Sequence, residues 1–145
     1  MNIYISSSWK QRDRVRALAI RLREVGHEVY DFTDPACRKT PEIPPERYTE
    51  QFDPAVHTYA SYIQSVPEWR QAVMCNKEAL TRTDLVVLLL PCGSDAHADW
   101  ALAVGMGKHS VICGQPVKGD RTPSHMWANH MVRDEDALMA WIPRA

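Results

Sequence analysis

Leu85-Val-Val-Leu-Leu-Leu-Pro-Cys-Gly-Ser-Asp-Ala-His-Ala-Asp99-Trp-Ala-Leu-Ala-Val-Gly-Met-Gly-Lys108 is the stretch that decides the fold. Its unbroken apolar start, bounded by Asp84 and a Pro-Cys-Gly-Ser turn, predicts a strand over Asp84–Leu90 that is buried on both faces, as strands of parallel sheets are. After the turn, Ser94 is a candidate cap for a helix that ends at a Gly-Lys exit. Ala96, Ala98, Ala101, Ala103 and Gly105 are small enough to let that helix approach a sheet closely. Ligands of open parallel sheets collect where strand C-termini meet helix N-termini. Here that place carries Gly93, Ser94, Asp95, His97 and Asp99.

Working outward, Asn2–Ser6 reads as a strand followed by a polar turn, Ser6-Ser7-Ser8-Trp9. From about Gln11 to Val25, Val15, Leu18, Ala19, Leu22 and Val25 recur at helical spacing, and Gly26 supplies a left-handed stop. His27–Phe32 is a second strand, which completes a βαβ unit with a right-handed crossover. Pro67 starts a helix reaching about Arg82, with Trp69, Ala72, Val73, Ala79 and Leu80 as its inner face and Asn76 on that same face. His109–Cys113 is a fourth strand, followed by a loop over Gly114–Pro123. A helix near Ser124–Asn129, a short edge strand at His130–Val132 and a helix over Asp134–Ile142 close the chain. The sum is a single α/β domain over 1–145, a doubly wound five-stranded parallel sheet of flavodoxin-like rather than long Rossmann type.

Residues 33–66 interrupt this alternation. Pro35, Pro41, Pro44, Pro45 and Pro54 exclude long regular elements there. Tyr48, Phe52, Tyr59 and Tyr62 favour a packed insertion over a solvated linker, with a turn or two of helix at Tyr59–Gln64.

Composition narrows the function. The 145 residues carry 17 Lys plus Arg against 18 Asp plus Glu, so no basic field attracts nucleic acid. The run Leu85–Leu90 is too short to span a bilayer, and residues 1–10 lack the layout of a signal peptide. Cys37, Cys75, Cys92 and Cys113 form no Cys-x-x-Cys pair, which argues against a zinc site or a disulfide scaffold and for a reducing, cytoplasmic setting. His57, His109, His125 and His130 have no metal-ligand spacing. No GxGxxG fingerprint is present, so neither a metal nor a dinucleotide cofactor is expected. Cys92 reads as a small buried residue.

Three groups of residues are candidates for chemistry. Ser6, Ser7 and Ser8 could meet a phosphate or sugar hydroxyl, or could cap the following helix; the two readings stand even. Trp9 is a base platform or a packing residue. Asp95 is explained by the helix dipole, but Asp99, one turn further and on the same face, lies beyond the first turn where that effect acts. Asn76, a polar amide on an apolar stripe, needs a partner, either a ligand or a neighbouring backbone group.

Ile3-Tyr-Ile-Ser-Ser-Ser8, the Asp84-Leu-Val-Val strand, the polar turn after it and Asp99-Trp-Ala-Leu-Ala103 with its Gly107-Lys108 exit resemble the nucleoside 2-deoxyribosyltransferases and their nucleotide N-glycosidase relatives. The likeness spans most of the chain outside 33–66. It implies a carboxylate attacking the anomeric carbon to give a covalent glycosyl-enzyme, as in retaining glycosidases. Asp99 stands where that family has a catalytic glutamate, and Asn76 where it has an upstream acid, so His97 or Asp95 would supply acid–base help. The resemblance also implies a nucleoside or nucleotide as partner and a homodimer or larger assembly. The N-terminal half, Tyr4-Ile-Ser-Ser-Ser-Trp-Lys-Gln-Arg-Asp13 and Gly26-His-Glu-Val-Tyr30, is similar to bacterial TIR domains, which cleave NAD at its nicotinamide bond.

These features carry three expectations. The first is an N-glycosidic hydrolase or ribosyltransferase in which Asp99 is the nucleophile, Ser6–Ser8 and the 93–97 turn hold substrate, Trp9 and Trp100 are base platforms and the insertion is a lid. The second is a nucleotide-binding module without catalysis. The third is a structural oligomer, for which the aromatic insertion, Trp127 and Trp141 speak.

Overall fold

The structure, a computed structural model, describes residues 1–38, 52–65, 67–119 and 122–143. Five strands, β1 (Asn2–Ser6), β2 (Glu28–Asp31), β3 (Leu85–Leu89), β4 (His109–Cys113) and β5 (His130–Val132), form one sheet in the order β2-β1-β3-β4-β5. Every pairing is parallel. This is the flavodoxin-like order, whose direction of winding reverses between β1 and β3.

Alternation along the strands builds a core on each face. Ile3 and Ile5 of β1, with Val87 and Leu89 of β3, face Val15, Leu18, Ala19 and Leu22 of α1 (Arg12–Glu24) and Leu138 of α6 (Glu135–Trp141). Tyr4, Val86 and Leu88 point the opposite way. They meet Ala79 and Leu80 of α4 (Pro67–Arg82) and Ala96, Trp100 and Ala103 of α5 (Ser94–Gly105).

Two glycines end helices by one device. Gly26 (φ 93°) lets its N–H reach the Arg23 carbonyl and that of His27 reach Leu22. Gly107 (φ 74°) does the same with Val104, while Lys108 reaches Ala103. Both are Schellman closures, which require a left-handed residue at that point. The exit of α5 is therefore held fixed, and with it the register of Asp99 on the helix.

Several boundaries move. The helix expected from Gln11 begins at Arg12, because Trp9–Gln11 forms a 3-10 turn capped by the Ser8 hydroxyl. Ser94 is the first helical residue rather than the cap; Gly93 takes the cap position and no side chain caps that end. The helix expected near Ser124–Asn129 is a 3-10 helix at Pro123–Trp127. Val73, assigned to the inner face of α4, is 62% exposed, since the buried stripe turns through Ala79 and Leu80 and leaves Val73 on its outer edge.

Within the insertion, α2 (Pro35–Arg38) follows β2 and α3 (Tyr59–Gln64) precedes α4. Phe52 packs on Tyr59 and Tyr62, and Tyr62 meets Trp69 of α4 edge-on. Pro41, Pro44, Pro45 and Tyr48, with the central part of the expected lid, lie outside the described residues.

Candidate active site

Four side chains from four elements converge beside the β1–β3 reversal point. Parallel register places Tyr4 of β1 opposite Tyr30 of β2, and their rings stack at 5.0 Å with planes 13° apart. The Tyr30 hydroxyl donates to Asn76 Oδ1 of α4 at 2.9 Å. Asn76 Nδ2 in turn donates to Asp99 Oδ2 of α5 at 3.0 Å, and the Tyr4 hydroxyl donates to the same oxygen at 2.8 Å. Among the described residues no hydrogen bond reaches Asp99 Oδ1. One carboxylate oxygen is thus anchored twice and the other is left to react or bind.

The electrostatics suit that division. Burial pushes the Asp99 carboxyl above the usual carboxylate range, the bonds from Tyr4 and Asn76 draw it back, and the nearby Asp95 charge raises it again. Tyr4 is held far above the ordinary phenol range, first by burial and then by the charge of Asp99. Tyr30 is also raised, chiefly by burial. Both phenols therefore remain protonated donors, and the network delivers a rigid, less-solvated carboxylate whose basicity exceeds that of a surface aspartate.

The serine turn is built into the scaffold. Ser6 and Ser7 are buried. The Ser6 hydroxyl donates to the Ala96 carbonyl of α5, and that of Ser7 donates to the Leu89 carbonyl of β3, each at 2.8 Å. These bonds clamp β1 to the β3–α5 unit that carries Asp99, and their protons are committed to main chain. Ser8 accepts from the Lys10 N–H as a cap. Capping, one of the two roles left open for this turn, is thus visible at Ser8 alone, while Ser6 and Ser7 act as buried clamps to main-chain carbonyls.

Trp9 is half-buried, tilted against Phe32 at 6.2 Å and covered by the Arg38 guanidinium at 5.2 Å. Gly93, Ser94 and Asp95 are exposed at the start of α5. His97 bonds through Nδ1 to the Gly93 carbonyl at 2.9 Å and through Nε2 to His125 Nε2 at 3.0 Å. Cys92 lies 3.5 Å from His97 Nδ1, and burial pushes its thiol up to about 11, so it stays protonated and unreactive.

One expectation is overturned. Trp100 is 0% exposed in the core between α5 and the sheet, so it cannot be a base platform. On an Ala-rich helix the one large ring turns inward to fill the interior, along the Ala96–Trp100–Ala103 stripe. Two surface depressions, of about 270 Å³ along the α1–α6 seam and about 390 Å³ on the outer side of α4, are not lined by Asp99. Among the described residues no cluster of three or more His, Cys, Asp or Glu side chains could hold a metal ion.

Sequence reading missed Tyr4, Tyr30 and the His97–His125 pair. A signal for Tyr4 was present: a tyrosine between Ile3 and Ile5 in a buried strand must find a partner for its hydroxyl. Tyr30 needed the parallel register, which no local pattern supplies.

Fold and site together define a flavodoxin-like α/β protein with a carboxylate at the winding reversal. Its architecture is similar to that of a 2-deoxyribosyltransferase from Bacillus psychrosaccharolyticus, with a TM-score of 0.66, 16% identity, and coverage of 98% of this chain and 93% of that one. A CMP N-glycosidase from Clostridium botulinum, BcmB, superposes with a TM-score of 0.55 at 15% identity over 97% of this chain and 96% of its own. A conserved protein from Enterococcus faecalis V583 gives 0.55 at 13% identity, with 97% and 95% covered. The chain therefore shares its fold with these proteins. No protein-family model and no curated protein matches the sequence.

Proposed function

We propose that this chain cleaves or exchanges the N-glycosidic bond of a nucleoside or nucleotide, with Asp99 as nucleophile. The observation that carries this reading is the asymmetry of the carboxylate: Oδ2 holds two donors and Oδ1 holds none among the described residues. Oδ1 attacks the anomeric carbon as the carbon–nitrogen bond breaks, and the base leaves with the bonding pair and takes up a proton. Water or a second base then attacks the same carbon, and the Asp99 carboxylate departs. Tyr4 and Asn76 hold the carboxylate in line and share its charge, which is how well-placed reacting groups gain rate.

Asn76 cannot exchange a proton, so it is a positioning residue. An aspartate reaches one methylene less far than a glutamate. The deoxyribosyl transfer and N-glycosidase activities named for two of the structurally similar proteins support the same reaction class here through the shared fold.

The test is incubation of pure protein with nucleosides, their 5′-monophosphates and NAD, with released base measured by chromatography. Base release that disappears in Asp99→Asn is the expected result. Release from NAD alone would favour the TIR-like reading. A second reading, a nucleotide-binding module without turnover, is favoured by the amide at Asn76. It predicts thermal stabilisation by a nucleotide with no base released.

A further inference from the structure

Tyr30 forms no hydrogen bond with Asp99, yet it holds both of the groups that do. Its ring lies against the Tyr4 ring at 5.0 Å, and its hydroxyl donates to Asn76 Oδ1 at 2.9 Å. Tyr4 and Asn76 are the two donors to Asp99 Oδ2. One half-buried side chain near the end of β2 therefore braces the carboxylate from two directions.

The second of these contacts decides something that packing cannot. A primary amide has two ends of nearly the same shape and opposite sense: the oxygen accepts and the nitrogen donates. Turned by half a rotation, the Asn76 amide would set Oδ1 against Asp99 Oδ2 across the 3.0 Å that the Nδ2 bond now spans. Two acceptors at that distance repel unless the carboxyl carries a proton. The flipped amide thus belongs to protonated Asp99, and the observed one to the carboxylate. Neighbours on α4 and α5 fit either arrangement equally well. The Tyr30 hydroxyl does not. It donates to Oδ1, which leaves Nδ2 facing Asp99. After a flip its oxygen would accept from Nδ2, and its own proton would have no acceptor among the described residues. Burial holds Tyr30 above the ordinary phenol range, so the proton this bond needs stays in place. Stacking on Tyr4, with planes 13° apart, fixes where the hydroxyl sits.

We propose that Tyr30 is a positioning residue for the candidate nucleophile: its hydroxyl sets which way the Asn76 amide faces, and its ring braces the Tyr4 donor. The role in a reaction rests on the glycosidic reading above, but the hold on Asp99 is a property of the protein without substrate.

The experiment compares wild type, Tyr30→Phe, Asn76→Ala and the double variant, first without substrate and then with it. Phenylalanine keeps the ring on Tyr4 and removes the hydroxyl alone. In the first arm, titration of the Asp99 carboxyl is followed by carbon-13 NMR, its resonance assigned by its loss in Asp99→Asn. The midpoint is expected to rise by about half a unit to one unit in Tyr30→Phe. In the Asn76→Ala background, removing the hydroxyl is expected to leave it unmoved. In the second arm, kcat for base release is expected to fall about 10-fold in Tyr30→Phe with KM within about twofold, and to fall no further when the hydroxyl is removed from Asn76→Ala. An unshifted Asp99 midpoint in Tyr30→Phe, or single effects that add in the double variant, would overturn the assignment. So would a raised KM at unchanged kcat, which would make Tyr30 a substrate contact. A shifted midpoint with no base released from any compound would keep the brace and sink the glycosidic reading alone. Base release that needs Asp99 but ignores Tyr30→Phe would do the reverse.

Discussion

The Tyr4 hydroxyl and the Asp99 carboxylate, 95 residues apart in sequence, meet in a 2.8 Å hydrogen bond that joins the first strand to the fifth helix. That bond, with the one from Asn76, makes Asp99 a fixed group rather than a mobile surface acid. Its consequences can be measured.

Tyr4→Phe keeps the ring stacked on Tyr30 and removes one of two donors to Oδ2. Hydrogen bonds to a charged acceptor are worth about 1.5–3 kcal/mol. Base release is expected to fall about 10- to 100-fold, and the acid limb of the kcat/KM profile to move to higher pH, because the lost bond favoured the ionised form. An unchanged profile would show that Tyr4 does not act on Asp99.

Asp99→Asn preserves shape and still offers a carbonyl to Tyr4 and Asn76. The Asp99 pKa is raised in the folded state, so the fold binds its proton more tightly than the unfolded chain does. Its contribution to stability is greatest below the usual carboxylate range and is lost as pH rises through the folded value. Asp99→Asn should consequently melt above wild type at pH 7, with the gap closing as pH falls toward 4. A variant less stable than wild type at pH 7 would contradict this.

Asn76→Asp places a second carboxyl about where an amide now donates at 3.0 Å. Two carboxylates at that distance share a proton rather than both ionise. The acid limb of the activity profile should rise by a unit or more, and stability at pH 7 should drop by about 1–3 kcal/mol. Activity gained at neutral pH would instead identify position 76 as a proton donor.

The His97 and His125 rings are nearly coplanar, their planes 9° apart and centroids 5.1 Å apart. With the Nε2 atoms 3.0 Å apart, the rings meet head to head, and one proton lies between them. Burial, then the neighbouring His97, lowers the His125 pKa. A lowered histidine contributes fully above its ordinary value of about 6.5 and loses that contribution as pH falls through the folded value. Melting temperature should decline between pH 7 and 5 more steeply in wild type than in His125→Gln. Parallel curves would refute the pairing.

Much of the fold was readable because it is local. Leu85–Leu90 announces a buried strand by its own run, and Asp99 stands out because the helix dipole does not reach its second turn. The junction that gives Asp99 its character is not local. It depends on Tyr4 and Tyr30 falling opposite one another in a parallel pairing, and on α4 lying beside α5. Trp100 was misread because a large aromatic near a candidate site suggests stacking, whereas its spacing from Ala96 and Ala103 marks the inner stripe. Ser6 and Ser7 were left open between ligand and helix cap, and their clamp role went unread, since a hydroxyl's partner across 82 to 90 residues is invisible in a chain of letters.

The most direct test is peptide mapping by mass spectrometry after acid quench during incubation with a 5′-nucleotide panel. A glycosyl adduct on Asp99, formed with release of free base and absent in Asp99→Asn, is the predicted result. Base release that persists in Asp99→Asn, or no release and no adduct with any compound, would contradict the assignment of Asp99 as nucleophile.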